Sequence, residues 1–132
     1  MDQAKILPFL MFEGRAEEAM NFYVSLFPGA RVEDIARYGA KQPGKEGSVV
    51  KARFTLGNQT VLCTDSVVKH EFTFTAAFSF FVECESEDEI GTLYEALSSG
   101  GATPMPLGGY GFSRKFAWVT DRFGVSWQLN LA

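Results

Sequence analysis

The two halves of the chain repeat one order of secondary-structure patterns, and this repeat constrains the fold more than any other sequence feature. In each half, an apolar run typical of a strand precedes an amphipathic stretch with helical spacing, and three further strand-like runs follow. This order indicates duplication of a βαβββ unit, with repeats at about 1–66 and 67–132. A shift of about 71 residues superposes similar residues: Phe9 on Phe80, Phe22 on Leu93, Tyr23 on Tyr94, Leu26 on Leu97 and Gly29 on Gly100.

Two such units predict an α+β fold in a single domain over residues 1–132. One βαβββ unit has a single helix, which can cover only one face of its sheet. Pairing two units buries the helical faces and leaves a curved inner face between them. We therefore predict two tandem βαβββ repeats that form a curved mixed sheet around an inner cavity.

The boundaries of the elements follow from periodicity and from turn residues. In the first half we predict a helix at Gly14–Phe27 and four strands, at Ile6–Phe12, Arg31–Tyr38, Val50–Leu56 and Thr60–Thr64. In the second half we predict strands at Phe78–Cys84, Ala102–Leu107, Phe112–Val119 and Val125–Leu131. The second helix is expected to begin at Ser86, with Glu89 completing a capping box, and to end at Gly100 and Gly101.

The alternation of polar and apolar residues in two strands predicts which polar side chains lie on the inner face. In the last strand, Ser126, Gln128 and Asn130 alternate with the apolar residues around Trp127. They either line the cavity or form the solvated side of the sheet. In the third strand, Lys51 and Arg53 lie on the face opposite the apolar residues. They either attract an anionic ligand there or lie exposed and balanced by glutamates.

Composition excludes several classes of protein. The net charge is −4 and the pI about 5.0, which argues against nucleic-acid binding because phosphate contacts need clustered cations. The apolar run Ile6–Phe12 is too short to span a bilayer and lacks the flanks of a signal peptide. Cys63 and Cys84 are too few for a disulfide framework. We expect a reduced, cytoplasmic protein with no membrane partner.

Several stretches of the sequence resemble the vicinal oxygen chelate superfamily, which includes glyoxalase I, bleomycin- and fosfomycin-resistance proteins and extradiol dioxygenases. The similarity is strongest to the PhnB-like branch, whose members are often labelled 3-demethylubiquinone-9 3-methyltransferase. The resemblance implies the glyoxalase/bleomycin-resistance fold and a homodimer. A methyltransferase of the usual kind needs a parallel α/β sheet with a glycine-rich turn for its cofactor, and this chain contains no such unit. The matching stretches are Pro8–Gly14, Glu18–Tyr23, Phe80–Cys84, Gly109–Phe116 and Trp118–Leu129.

The resemblance also implies where a divalent metal ion would be bound, on the first and last strand of each repeat. Matched position by position, the residues there are Pro8, Cys63, Ser79 and Gln128, and the position of Cys63 could slip to a neighbouring residue. Proline has no side-chain donor, and serine and glutamine are poor ligands beside the three or four nitrogen, oxygen or sulfur donors that hold zinc. We therefore expect no metal and no other cofactor.

Further candidate ligand contacts lie in a glycine-rich stretch and at one cysteine. Tyr110 and Phe112 could line an apolar mouth, and Arg114 or Lys115 could place a positive charge beside it; otherwise this loop packs against a neighbouring subunit. Cys63 is either a cavity thiol or a buried, inert cysteine, since no activating partner can be placed beside it. The acidic residues from Glu83 to Glu89 are expected to face solvent at the start of a helix, and His70 to lie on the surface.

Two classes of function follow. The first is a binding protein that holds a small organic molecule, with Gln128, Ser79, Cys63, Tyr110, Phe112, Arg114 and Arg53 as the candidate contacts. The second is a metal-independent enzyme of the same fold that acts on a small organic substrate, either neutral or anionic. The residues that would position or protonate this substrate are Gln128, Tyr110, Arg114 and Glu83. The replaced ligand positions favour binding and disfavour a metal-dependent lyase or dioxygenase.

Overall fold

The computed structural model describes residues 5–132, which divide into two compact units. Unit 1 ends at His70 and unit 2 begins at Glu71. Each unit contains one helix and a four-stranded mixed sheet, in the order strand, helix, three strands. The α+β class and the tandem βαβββ order predicted from the sequence are therefore confirmed. No helix within residues 5–132 is long and apolar enough to cross a membrane.

Unit 1 contains β1 (Phe9–Phe12), α1 (Ala16–Leu26), β2 (Arg31–Arg37), β3 (Val49–Leu56) and β4 (Gln59–Asp65). Its strands lie in the order β1-β4-β3-β2, with β1 parallel to β4 and the other pairs antiparallel. The strand predicted to begin at residue 6 begins three residues later, because proline at position 8 has no N–H to donate.

The core of unit 1 lies between α1 and one face of its sheet. Tyr23 is fully buried and its ring lies 6.4 Å from that of Phe54, at an interplanar angle of 30°. Burial of each such side chain contributes roughly 1.5–3 kcal/mol to stability. The buried apolar sheet residues that share this face include Leu10, Phe12, Ala52, Phe54, Val61 and Cys63.

A buried carboxylate at the end of β4 holds the beginning of α1. Asp65 Oδ1 accepts hydrogen bonds from the backbone N–H of Gly14 (2.8 Å) and of Ala16 (2.9 Å). Its other oxygen, Oδ2, accepts from the N–H of Val49 at 3.0 Å. The residue before the helix, Arg15, makes no side-chain cap, so a residue distant in sequence supplies the anion that a helix N-terminus favours.

Unit 2 contains β5 (Ser79–Cys84), α2 (Glu87–Ser98), β6 (Ala102–Gly108), β7 (Lys115–Thr120) and β8 (Ser126–Leu131). The strand order is β5-β8-β7-β6, with β5 parallel to β8. The proline-rich β6 is an edge strand, as its sequence predicts. The strand predicted to begin at residue 112 begins at Lys115, because Gly111 has a positive φ of 97° and the chain bends there.

The predicted cap at Ser86 is present at the start of α2, but Glu89 closes the box on the residue before the cap, Glu85, instead of on Ser86 itself. Ser86 Oγ accepts from the N–H of Glu89 at 3.0 Å, and Glu89 Oε1 accepts from the N–H of Glu85 at 2.6 Å. The helix buries three apolar side chains on one side, Ile90, Leu93 and Leu97.

The first strands of the two repeats correspond at a shift one residue smaller than the sequence suggests, whereas Gly29 and Gly100, both at positive φ after their helices, keep the suggested shift. Phe9 lies on the face of its sheet away from α1, whereas the ring of Phe80 lies 4.8 Å from that of the buried Trp127. The smaller shift pairs Leu10 with Phe80, which lie on equivalent faces. Phe9 and Phe80 are therefore not equivalent, and this correction moves the counterpart of Ser79 from Pro8 to Phe9.

Candidate functional site

The face of the unit 2 sheet opposite α2, which we call the open face of unit 2, gathers most of the candidate residues. Ser126, Gln128 and Asn130 lie there, and Trp127, Leu129 and Leu131 are buried on the other face, as the alternation predicts. The strand register arranges the open face in three rows across β5, β8 and β7: Ser79–Ser126–Thr120, Phe81–Gln128–Trp118 and Glu83–Asn130–Phe116.

A chain of hydrogen bonds on this face ends at Ser79 and Gln128. The indole N–H of Trp118 donates to Ser126 Oγ at 2.9 Å, and Ser126 Oγ lies 2.6 Å from Ser79 Oγ. Ser126 is only 1% exposed, so this pair of hydroxyls shares one hydrogen bond in the interior of the row. Gln128 Nε2 makes a longer contact with Ser79 Oγ, at 3.4 Å. The half-buried Ser79 hydroxyl and the side-chain amide of Gln128 are thus the polar groups that this chain of hydrogen bonds presents to a ligand.

A second hydrogen-bonded group orients a carboxylate. Asn130 Nδ2 donates to Glu83 Oε1 at 2.8 Å, and Ser113 Oγ donates to Asn130 Oδ1. Both ends of the Asn130 amide are therefore fixed. Glu83 itself is exposed, and its Oε2 has no hydrogen-bond partner in the part of the chain that the structure describes.

Four aromatic rings pack together beside this carboxylate, and we call them the aromatic group: Phe81, Tyr110, Phe112 and Phe116. The ring of Phe116 lies 5.0 Å from Phe112, 6.4 Å from Tyr110 and 6.5 Å from Phe81. Tyr110 and Phe112 stack at 6.3 Å, and the Tyr110 hydroxyl donates to the carbonyl of Pro106. Phe81 is 55% exposed and Phe112 is 62% exposed, so the group presents apolar surface to solvent.

The cations expected beside these rings lie elsewhere. The Arg114 guanidinium donates to the carbonyl oxygen of Ala132 at 3.1 Å. Lys115 Nζ lies 2.8 Å from Glu87 Oε1 at the start of α2. The hydrogen bond and charge of Lys115, with a smaller contribution from Arg114, lower the pKa of Glu87. The structure thus brings Tyr110 and Phe112 together but turns Arg114 towards the chain end, which corrects its assignment to the same site.

Arg53 lies in unit 1, on the face of the sheet away from α1. It is paired in register with Leu62, and its Nε lies 4.0 Å from Asp34 Oδ2. Lys51, two residues earlier on the same strand, shares this face and is exposed. Both cations therefore lie on the face of β3 opposite the buried Ala52 and Phe54, and their contact with an anionic ligand stays a prediction.

Cys63 lies in the core of unit 1. It is fully buried, in register with Leu10 and Ala52 on the face that packs against α1. Burial, with the added effect of the Asp65 charge, raises the pKa of the thiol to about 12. The prediction that Cys63 contacts a ligand is corrected in favour of the alternative, a buried and unreactive thiol.

The metal ion that the resemblance implies does not fit the donor atoms of either unit. On the face of the unit 1 sheet away from α1, which we call the open face of unit 1, β1 and β4 offer only a thioether and a hydroxyl among Phe9, Met11, Leu62 and Thr64. In unit 2, Ser79 and Gln128 offer a hydroxyl and an amide, with Glu83 as the one carboxylate on that face. No group of three or more His, Cys, Asp or Glu residues lies together within residues 5–132. Divalent transition metals need more and stronger ligands than these.

The sequence did not point to Trp118 or Phe81. It offered Glu83 in two roles, as one of the acidic residues expected to face solvent at a helix start and as a candidate group of a metal-independent enzyme. The alternation of β5 carried the missing signal, because Ser79, Phe81 and Glu83 are two residues apart and must share a face. His70, expected on the surface, is half-buried in unit 1, where its Nε2 lies 2.9 Å from Ser66 Oγ.

Comparison with known proteins gives consistent matches over the whole chain. The family model described as 3-demethylubiquinone-9 3-methyltransferase matches residues 4–130. The solved structure of a Bacillus cereus PhnB protein is 56% identical, covers 98% of this chain and 100% of its own, and has a TM-score of 0.96. A structure from Pseudomonas aeruginosa is 28% identical, covers 98% of both chains and has a TM-score of 0.84.

A more distant structure shares the fold alone. The glyoxylase/bleomycin resistance protein/dioxygenase domain from Frankia sp. EAN1pec is 14% identical, covers 100% of this chain and 98% of its own, and has a TM-score of 0.65. No curated protein matches the chain significantly.

Proposed function

Because the chain belongs to the PhnB-like family described as 3-demethylubiquinone-9 3-methyltransferase, within the glyoxalase/bleomycin-resistance superfamily, we propose that it binds a small organic molecule on the open face of unit 2. One observation carries this proposal: the hydroxyl of Ser79 and the amide of Gln128 lie on the same face as the exposed aromatic group. Ligand sites typically combine apolar and aromatic surface with a few oriented polar groups.

The methyl transfer named in the family description is not part of this proposal. A methyltransferase of the usual kind binds its cofactor at a glycine-rich turn between a parallel strand and a helix. Here each unit has a single parallel strand pair, and β1 leads into α1 through only Glu13, Gly14 and Arg15. The elements within residues 5–132 therefore do not include the framework on which that cofactor is usually held.

A metal-independent enzyme is the second candidate. The observation that favours it is Glu83, an exposed carboxylate that Asn130 orients on the same face as Gln128. Such a carboxylate could accept or donate a proton to a bound substrate. Turnover of a dicarbonyl, epoxide or catechol substrate without added metal, lost in Glu83→Gln, would select the enzyme over the binding protein.

The proposed binding is tested with a panel of aromatic and aliphatic fragments screened by thermal shift. A compound that stabilises the wild-type protein is then titrated by calorimetry into Gln128→Ala and into a matched control, Gln59→Ala. Gln59 is exposed on β4 of unit 1, so its change removes the same side chain away from the site. We expect Gln128→Ala to weaken binding about tenfold, the value of one hydrogen bond, and Gln59→Ala to leave it unchanged. Equal affinities for the two variants would contradict the proposal.

A further inference from the structure

The charge on the open face of unit 2 restricts what it can bind. Resting on the proposed function, we propose that this face selects an organic cation, with an amine or quaternary ammonium group beside Glu83 and an apolar or aromatic body against the aromatic group. Glu83 is the only ionisable side chain in the three rows that cross β5, β8 and β7.

No cation of unit 2 neutralises this carboxylate. Residues 71–132 contain three cationic side chains. Arg114 donates to the carbonyl of Ala132, Lys115 pairs with Glu87, and the Arg122 guanidinium lies 4.6 Å from the ring centroid of Phe123. The negative charge of Glu83 therefore remains available to a ligand of opposite charge and repels an anionic one.

The carboxylate is also held in a defined position. Asn130 donates to Oε1, and Ser113 fixes the other end of the Asn130 amide. The free oxygen, Oε2, can accept a hydrogen bond or ion pair from a ligand without breaking the bond to Asn130. An oriented acceptor reduces the entropy lost on binding.

The aromatic rings lie at a distance that one small molecule can span. Phe81 is two residues from Glu83 on β5, which places their Cβ atoms about 7 Å apart on the same face. Phe116 lies in the same row as Glu83, two strands away, at about 10 Å. Phe116 itself is buried, and the exposed ring of Phe112 packs 5.0 Å from it. An ammonium group at Glu83 thus places an attached phenyl-sized body against the exposed rings of Phe81 and Phe112, where ring faces also attract the cation.

Three probes that share a phenyl ring and differ in charge test the proposal. They are phenethylammonium, the neutral 2-phenylethanol and the anionic 3-phenylpropionate, each titrated by calorimetry into the full chain at low and high salt. The variant is Glu83→Gln, and the matched control is Glu95→Gln, an exposed glutamate on α2.

We expect phenethylammonium to bind most tightly and to weaken with added salt. Glu83→Gln should weaken this cation about fivefold, the factor expected for one ion pair at a solvent-exposed site, and leave 2-phenylethanol unchanged. Glu95→Gln should change neither affinity.

Other outcomes overturn the proposal. Equal affinities for the three probes, tighter binding of the anion, or an unchanged affinity for the cation in Glu83→Gln would each show that Glu83 does not select charge. If one of these results were found and Gln128→Ala weakened binding of the neutral probe, the binding function would stand while the cation preference failed. Absence of phenethylammonium binding at millimolar concentration would also overturn the inference, and the fragment panel would then decide the binding function separately.

Discussion

Single residues on the two sheets illustrate what alternation can and cannot predict. In β8, polar and apolar residues alternate strictly, so the sequence placed Gln128 on the correct face. In β4, both Leu62 and its neighbour Cys63 are apolar, and the buried Asp65 contradicts the usual rule that charged residues face water. The face of Cys63 could therefore be decided only by its register with β1 and β3.

Burial of the two thiols makes stability depend on pH in the alkaline range. Burial is the largest cause that raises the pKa from 9.0 to about 12 for Cys63 and to about 11 for Cys84. Because the folded-state values are higher than the unfolded ones, this contribution is complete below pH 9.0 and is lost progressively as the pH rises towards 11 and 12. We expect the free energy of unfolding in urea to fall over that range.

The matched measurement uses Cys63→Ala, in which this decline should be shallower than in the wild-type protein. Both thiols should also react with a thiol reagent far more slowly in the native protein than in urea. A decline of the same slope in Cys63→Ala, or native thiols that react as fast as unfolded ones, would contradict the assignment of Cys63 to the core.

Helices and strands were predicted best where a single residue type in the local sequence meets a single requirement of the backbone, such as a helix cap or an edge strand. The cap at Ser86 and the edge position of the proline-rich β6 are of this kind. Interactions between distant residues were not predictable in the same way: α1 is capped by Asp65, which lies 49 residues after Ala16. For the same reason the sequence did not show that Arg114 turns towards Ala132, since that contact depends on where β7 begins.

The connection between α2 and β6 gives a direct test of this packing. A Cβ at Gly101 would lie 1.9 Å from the carbonyl oxygen of Thr120 and 2.9 Å from the carbonyl carbon of Asp121. Since both are backbone atoms, Gly101→Ala should destabilise the protein by more than about 3 kcal/mol. The control is Gly91→Ala within α2, where an added Cβ meets nothing within 4 Å. This substitution should stabilise the protein by about 0.5–1 kcal/mol, because alanine favours a helix more than glycine does. Urea unfolding measures both, and similar stabilities for the two variants would disprove the close approach.

Across the whole molecule, the duplicated order of elements supports two different open faces. In unit 1 this face carries apolar side chains on β1 and β4 and a cation, Arg53, near Asp34. In unit 2 it carries hydroxyl and amide groups, the aromatic group and the carboxylate of Glu83. The sequence predicted the repeat and the class of fold, but only the strand register distinguished these faces, and it is the second that supports a ligand site.

Chemical-shift mapping on the ¹⁵N-labelled full chain, titrated with phenethylammonium, tests the location of this site most directly. Two side-chain signals report on the open face, the amide of Gln128 and the indole of Trp118. Each has a control of the same type away from this face: Gln59 in unit 1 and Trp127 in the core. We predict the largest shifts at the Gln128 amide and the Trp118 indole, with Gln59 and Trp127 unchanged. Larger shifts at Gln59, at Trp127 or along α2 than at Gln128 and Trp118 would contradict a binding site on the open face of unit 2.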